Sequence, residues 1–400
     1  MDSFDVIIVG AGAVGTALAC ALCDSGLRIA ILDAREPPHF AADAQLDLRV
    51  FALSPASQRI LEALHAWEAI RAARAEPYTE MRVWDATGSG RIHFDCADVG
   101  EAALGYIVEN RLIQFALWKQ LESTGSVTAI HPATPEAVAF DTDRALLSLQ
   151  DGKRLHTRLL VAADGAESAL RKLAGIATRA EPYGQMAIVA HVRTQKSHAH
   201  TAWQRFLPTG PIALLPLTDG RVSVVWSLDN VRAQEVRSLD DAAFCSAVTQ
   251  ASDSILGPVT ATTPRAAFPL QRMHARDYVR SRFALIGDAA HALHPLAGQG
   301  VNLGLLDMAA LADVILTAHA RQRDIGDLAV LRRYQRARRS DNLAMIFALD
   351  GFKRLFSNEI TPLRILRNAG LHAVDRFTPL KSVLMWHAMG LNGDLPALAR

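Results

Sequence analysis

The short run Asp5-Val-Ile-Ile-Val9 meets Gly10-Ala-Gly12-Ala-Val-Gly15 with no spacer. Thr16 to Asp24 then reads as a helix with Gly26 as its C-cap, and Arg28-Ile-Ala-Ile-Leu32 reads as a second strand that ends in Asp33. Strand, glycine turn, helix, strand and acid in this order are the dinucleotide fingerprint. They commit the chain to an α/β fold with a parallel βαβ unit. Gly10 permits the tight turn. Gly12 lets a pyrophosphate approach the backbone, and Gly15 lets the helix pack closely on the strand. Asp33 accepts hydrogen bonds from ribose hydroxyls, and its charge disfavours a 2′-phosphate. The candidate contacts are Gly10, Gly12, Ala13, Val14, Gly15 and Asp33.

A second run lies some 270 residues later. Phe283 to Ile286 reads as a buried strand stopping at Gly287-Asp288. A loop containing His291, His294 and Pro295 follows, and Gly298-Gln299-Gly300-Val301-Asn302 opens a long apolar helix. An acid at a strand end suits sugar hydroxyls, and a helix N-terminus attracts negative charge. One loop offering both fits a ribityl chain and an electron-rich ring. A nicotinamide dehydrogenase has no need of it, so FAD is favoured over NAD.

Four hundred residues suggest two or three domains, and 50% hydrophobic content supplies a large core. A net charge of +1 with no basic stripe argues against nucleic acid. Cys20, Cys23, Cys96 and Cys245 are too few for a disulfide framework, which favours a reducing, cytoplasmic setting. No signal peptide is expected, and no apolar stretch is expected to reach the roughly 18 residues a bilayer span needs. A peripheral contact with the inner membrane stays compatible.

Leu159-Leu-Val-Ala-Ala163 is a further strand ending in Asp164-Gly165, with Ser168 and Arg171 on the helix that follows. Asp164 suits a turn at the cofactor, or an ordinary Asp-Gly turn. Arg171 suits a phosphate or a helix cap. In their order, Gly10-x-Gly12-x-x-Gly15, Asp164-Gly165 and Gly287-Asp288 resemble the three signatures of class A flavoprotein aromatic hydroxylases of the p-hydroxybenzoate hydroxylase fold. Asp47-Leu-Arg49-Val-Phe-Ala-Leu53-Ser, Tyr106-Ile-Val-Glu-Asn110-Arg111, Trp203-Gln-Arg-Phe-Leu-Pro208-Thr-Gly-Pro211, His294-Pro-Leu-Ala-Gly298-Gln-Gly300-Val-Asn302 and Leu349-Asp-Gly-Phe-Lys-Arg-Leu-Phe are similar to the ubiquinone-biosynthesis hydroxylase family. The tail is more similar to the branches acting at C5 or C6 of the ring than to the C1 branch.

The resemblance implies an α/β fold: a Rossmann-like FAD-binding domain with an inserted antiparallel-sheet substrate domain and C-terminal helices. It implies FAD, O₂ as co-substrate, and NAD(P)H or an external reductase or ferredoxin as electron donor. The reaction it implies is hydroxylation of a prenylated phenol through a flavin C4a-hydroperoxide, with no side-chain acid or base strictly required. Arg49 and Arg111 are expected near the flavin and its phosphates, Asp288 at the ribityl or pyrophosphate side, and the backbone of Gly298 to Asn302 at the pyrimidine edge. A surface ion pair is the alternative role for each arginine.

The FAD domain is expected over 1–75, 100–180 and 264–340, the substrate sheet over 76–99 and 181–263, and a helical region over 341–400. Trp203, Phe206, Leu214, Pro216 and Trp226 are candidates for an apolar substrate slot, and are equally ordinary sheet-core residues. Phe347, Leu349, Phe352, Leu355 and Phe356, with Lys353 and Arg354, are spaced for an amphipathic face toward a membrane or protein partner, or for packing on the core. A ubiquinone-biosynthesis complex is a compatible partner. Cys20-Ala-Leu-Cys23 lies inside the fingerprint helix and reads as buried small residues. His198, His200, His291 and His294 lack a companion carboxylate in sequence, so no metal is expected. A structural hydrogen bond is expected for His291. The alternatives are a hydroxylase of a small soluble aromatic, a polyprenyl reductase, a structural flavoprotein of a complex, and a plain NAD dehydrogenase.

Overall fold

The computed structural model describes residues 2–41, 43–292, 298–356 and 361–400. Its first sheet carries Val279–Arg280, Phe283–Leu285, Arg154–Ala162, Asp2–Val9, Ile29–Leu32 and Val127–Ile130, in that spatial order. From Phe283–Leu285 to Val127–Ile130 all neighbours are parallel. Val6 to Val9 and Ile29 to Leu32 are buried throughout, as strands covered on both faces must be. Register decides the functional geometry. Leu32 pairs with Val9, Val9 with Ala162, and Ala162 with Leu285. Four strands therefore end level, and Gly10, Asp33, Asp164 and Gly287-Asp288 leave from one edge.

Helix Ala13–Leu22 starts three residues earlier than the sequence pattern indicates, directly after Gly12. Its C-cap is Cys23, and Gly26 lies in the following turn at φ +77°. Helix Gln299–Ala320 is apolar enough, and at 22 residues long enough, to cross a bilayer, which corrects the expectation that no stretch is. In this fold 78% of its apolar window is buried, because it packs between neighbours on all sides.

The second sheet runs His291–Ala292, Ala266–Ala275, Thr178–Thr194, Val222–Asp229, Gly210–Pro216, Thr201–Leu207, Glu80–Asp85 and Arg91–Asp95. Thr201–Leu207, Gly210–Pro216 and Val222–Asp229, within the expected substrate-sheet span 181–263, all lie in it. Its extent differs from expectation at one border. Ala266–Ala275, expected in the FAD piece, pairs antiparallel with the 17-residue strand Thr178–Thr194. Helix Leu328–Phe356 likewise crosses residue 341 without a break. The helices beyond it are anchored on the sheet: Arg367 Nε reaches Asp85 Oδ2 at 2.7 Å with both side chains buried.

One face of this sheet presents Ile188, Ala190, Ile212, Leu214, Val224 and Trp226 to Phe244 and Val248 of helix Asp241–Ala251. The other face turns Leu215 toward Ala52 and Ile107, with Leu217 beside it. That apolar contact joins the sheet to a three-stranded unit of Val50–Leu53, Gly105–Glu109 and Ala75–Tyr78.

Candidate cofactor site

The three fingerprint glycines have different physical reasons. Gly10 sits at φ +106°, and a Cβ there would lie 2.3 Å from the carbonyl oxygen of Ala163. At Gly15 a Cβ would lie 1.9 Å from the carbonyl oxygen of Gly10. Both are packing requirements of the protein itself. A Cβ at Gly12 would meet nothing within 4 Å. The backbone there is open, at the N-cap of helix Ala13–Leu22, where the helix terminus favours an anionic group such as a pyrophosphate. Asp33 holds this loop from the neighbouring strand end: Ala11 N donates to its Oδ2 at 2.8 Å and Arg35 N to its Oδ1 at 2.9 Å.

A second helix N-terminus faces the same edge. Gly298, the N-cap of Gln299–Ala320, has φ +63°, and no side chain caps this helix. Its first N–H groups have no intrahelical acceptor. The side chains here are committed elsewhere. Gln299 Nε2 donates to the carbonyl of Ala388 at 3.2 Å, and Val301 is buried in the main core. Asn302 Oδ1 accepts from Ser54 N at 3.0 Å and Ser57 Oγ at 2.7 Å, while its Nδ2 donates to Ala52 O at 2.9 Å and Gly298 O at 3.2 Å. Asn302 is thus a staple that aims the helix, and contact with a ligand falls to main-chain N–H groups. The two helices meet where a Cβ on Gly304 would lie 2.8 Å from Val14 Cγ2. Val14 also lines the Gly287 turn.

Asp288 stands between these termini, its Oδ1 3.9 Å from where a Gly300 Cβ would lie. Burial raises its pKa above the usual carboxylate range, and the charges of His291 and Arg49 oppose the rise. Its carboxylate makes no hydrogen bond among the described residues. A half-buried carboxylate so placed is ready to accept ligand hydroxyls. Beneath the turn lies a polar network that the sequence did not reveal. His291 Nε2 is 2.5 Å from Asp307 Oδ2, and Asp307 Oδ1 accepts from Arg338 Nε at 3.0 Å and Asn342 Nδ2 at 2.9 Å. His291 therefore has the structural hydrogen bond expected of it. His294 and Pro295 lie outside the described residues.

The remaining candidates divide. Asp164 caps the helix after it, accepting from Ser168 Oγ at 2.5 Å and Leu170 N at 3.1 Å. Arg171 is buried and donates to Ala289 O at 2.9 Å and Ala166 O at 2.8 Å. It clamps the second and third motif loops together instead of reaching a phosphate. Arg49 and Arg111 are brought side by side, because Val50 pairs with Glu109 and Asn110 N donates to Arg49 O at 2.9 Å. Both are exposed, and neither makes an ion pair among the described residues. The Arg49 guanidinium lies over the Phe51 ring, 5.3 Å from its centroid.

Residues 3–345 match the family model described as FAD binding domain. The chain belongs to this FAD-binding family. Within it the chain is a member of the ubiquinone-biosynthesis hydroxylases. It is 39% identical to the 3-demethoxyubiquinol 3-hydroxylase of Escherichia coli (strain K12), over 97% of this chain and 98% of that one. It is 38% identical to the ubiquinone hydroxylase UbiL of Rhodospirillum rubrum, over 99% and 92%. Among solved structures, p-nitrophenol 4-monooxygenase PnpA from Pseudomonas putida superposes with a TM-score of 0.79 at 20% identity, over 98% of this chain and 99% of that one, which shows the shared fold.

The FAD-binding family member departs from its sequence reading at the substrate candidates. Trp203, Leu214 and Trp226 pack on the sheet face beneath helix Asp241–Ala251. Pro216 is buried and shares the strand parity of Leu214. Phe206 lies on the opposite face, stacked on Phe356 with ring centroids 4.0 Å apart. Strand alternation puts the two tryptophans on the helix side and Phe206 on the other, so the candidates do not together line a slot beside the cofactor loops. Leu215 and Leu217 occupy that side.

The fold also supplies a carboxylate that the sequence spacing hid. Glu76 Oε1 lies 2.7 Å from His200 Nδ1, beside His198. His198 is already engaged, with Leu217 O at 3.2 Å from Nε2 and His200 N donating to Nδ1. Cys20 is buried in its helix with its thiol pushed up to about 12 by burial, so it lacks the thiolate character of a redox pair.

Proposed function

We propose that this flavoprotein hydroxylates the aromatic ring of a prenylated phenol in ubiquinone biosynthesis, using O₂ as co-substrate. The observation that carries the reading is the level ending of Leu32, Val9, Ala162 and Leu285. It converges the Gly12 cradle, Asp33 and Asp288 on one edge, opposite the second helix N-terminus. A dinucleotide flavin spans such a crevice.

When bound, the flavin supplies reduction of O₂ and transfer of one oxygen atom. The chain's own groups do the rest. The cradle at Gly12 and the Ala13–Leu22 helix terminus hold the pyrophosphate, with Arg49 and Arg111 supplying positive charge. Asp33 and Asp288 accept hydroxyl hydrogen bonds. N–H groups at Gly298 to Asn302 stabilise negative charge on the ring's pyrimidine edge. The Leu215, Leu217, Ala52 and Ile107 contact excludes water from the ring side.

The finer reading includes a peripheral bilayer contact, which a prenylated substrate requires. Helix Thr378–Ala388 supports it: Leu380, Val383, Leu384 and Trp386 are exposed along its outer arc, with Phe377 before it. The face expected around residue 350 is divided. Phe347 is 65% exposed, whereas Phe356 is buried. The side chains of Leu349, Phe352, Lys353 and Arg354 are outside the described residues.

The test is oxygen incorporation. FAD-loaded protein supplied with NAD(P)H, or with ferredoxin and its reductase, should add one oxygen atom to a short-chain prenylated phenol, detected by mass spectrometry. A protein that turns over only p-hydroxybenzoate would support the small-aromatic hydroxylase instead. Saturation of the prenyl chain without ring oxygenation would support the reductase.

A further inference from the structure

His191, Ser223 and Leu215 stand in one row across three adjacent strands, on the sheet face opposite the helices. Leu215 packs with Ala52, whose carbonyl accepts from Asn302 and which abuts Gly298. Strands lie about 4.8 Å apart, so the row extends about 10 Å from the flavin-side loop into the sheet. Both polar members are closed off: His191 is 1% exposed and Ser223 0%. Neither ring nitrogen of His191 and not the Oγ of Ser223 has a hydrogen-bond partner. His191 is the one described residue with two such atoms. Against Leu215, at the end of the row, pack Leu46, Val50, Ala52, Ile107 and Tyr78.

Buried polar groups of folded proteins are almost always paired, and unpaired ones collect where a ligand is to supply the partner. The unpaired indole nitrogens of Trp203 and Trp226 are on the other sheet face. His291 Nδ1 is unpaired as well, but its ring is already held beneath the Gly287 turn by Asp307. The row of His191 and Ser223 combines three unpaired atoms on the sheet face that carries Leu215 to the cofactor loops. Resting on the prenylated-phenol reading above, we propose that His191 and Ser223 form the subsite that binds the ring hydroxyl of the substrate. One imidazole nitrogen accepts from the phenol O–H, and the Ser223 hydroxyl donates to the phenol oxygen. No proton is transferred. Burial keeps the imidazole uncharged, as an acceptor must be; together with the Arg221 charge it brings the pKa to about 4, against the opposing charges of Asp219 and Asp47. His191 and Ser223 are thus positioning residues that fix which ring carbon faces the flavin.

The experiment titrates FAD-loaded protein with 2-geranylphenol, its O-methyl ether and geranylbenzene, following the flavin absorbance. Wild-type protein should bind the phenol at least tenfold more tightly than the ether. In H191L S223A this preference should fall to within twofold, while geranylbenzene binds as in wild type. S223A alone, which removes one atom, should lose part of the preference, and His191→Gln should retain part of it. A double variant that loads FAD and keeps the full preference overturns the subsite. If none of the three ligands perturbs the wild-type flavin, the prenylated-phenol reading fails, and the subsite with it.

Discussion

Asp307 Oδ2 lies 2.5 Å from His291 Nε2, with neither side chain exposed, and the same oxygen accepts from the N–H of Gly287 at 3.3 Å. One carboxylate in the middle of the core helix therefore fixes the turn that presents Asp288. Burial opposes its ionisation, but His291, Arg338 and Asn342 outweigh that and hold its pKa below the usual range. Asp307→Asn leaves the buried Arg338 with only the exposed Asp341 as a charge partner. Removing one member of such a pair costs about 3–5 kcal/mol. Urea unfolding of the apoprotein should show that loss, and a change below about 1 kcal/mol would refute the network's role.

Two histidines, His191 buried and His274 half-buried, give the protein an acid-sensitive range. Burial first, then neighbouring positive charge, lowers both His191 and His274 from 6.5 to about 4. Between those values the unfolded chain binds protons that the folded one refuses. Stability from these groups is thus complete above about 6.5 and is lost as pH falls toward about 4. Urea midpoints measured at pH 7, 6 and 5 should fall progressively. The double variant H191Q H274Q should flatten the decline between pH 6.5 and 5, where carboxylates contribute least.

The glycines separate folding from binding. Gly15→Ala drives a Cβ to 1.9 Å from a backbone oxygen, which cannot swing away. Overpacking of this kind costs about 1–3 kcal/mol or more. Gly12→Ala meets nothing within 4 Å, at an ordinary φ of −72°. Its apoprotein should unfold within about 1 kcal/mol of wild type, yet FAD affinity should drop at least tenfold. Equal FAD affinity for Gly12→Ala would show that the open cradle does not hold the pyrophosphate.

Much of this was legible in the chain because glycines and strand-ending acids carry positional meaning of their own. Gly10, Gly12 and Gly15 announce their turn, and Gly298 its helix start. The buried partners were not legible. Asp307, Arg338 and Asn342 meet only because two long helices cross beneath residue 287, and residues 16 to 51 positions apart give no local sign of contact. Asp164 was ambiguous for the opposite reason: an Asp-Gly at a strand end also makes a helix cap, and the contacts to Ser168 and Leu170 show that it does. Trp203, Leu214 and Trp226 looked like slot residues because aromatic content is visible in sequence, whereas the sheet face is set by parity relative to helices that come later. Ser223 and His191, polar residues inside apolar strands, were the local departure from pattern that marked the other face.

The outer arc of helix Thr378–Ala388 gives the bilayer contact a direct test. Apolar arcs of this kind bind membranes in proportion to the area they bury. Replacing Leu380, Val383 and Leu384 with serine should reduce co-sedimentation with phospholipid vesicles severalfold, while Met385, which faces inward, keeps the helix docked. Turnover of a water-soluble, short-chain substrate should be unchanged. Equal sedimentation of the variant would remove this helix as the contact.

Arg49 and Arg111 offer the sharpest test of the cofactor site, because the fold makes so little use of them. Backbone register sets them side by side, and their exposed guanidinium groups make no ion pair among the described residues. Exposed charges without such partners contribute within about 0.5 kcal/mol to stability. A charge-assisted hydrogen bond to a phosphate contributes about 1.5–3 kcal/mol, or roughly tenfold to a hundredfold in affinity. Arg49→Ala and Arg111→Ala should each therefore weaken FAD binding by at least tenfold, measured by titration of apoprotein, with unfolding midpoints close to wild type. Arg49→Lys should recover part of the loss, since it keeps the charge without the planar fork. Weakened stability with unchanged FAD affinity would reverse the assignment and make these arginines structural.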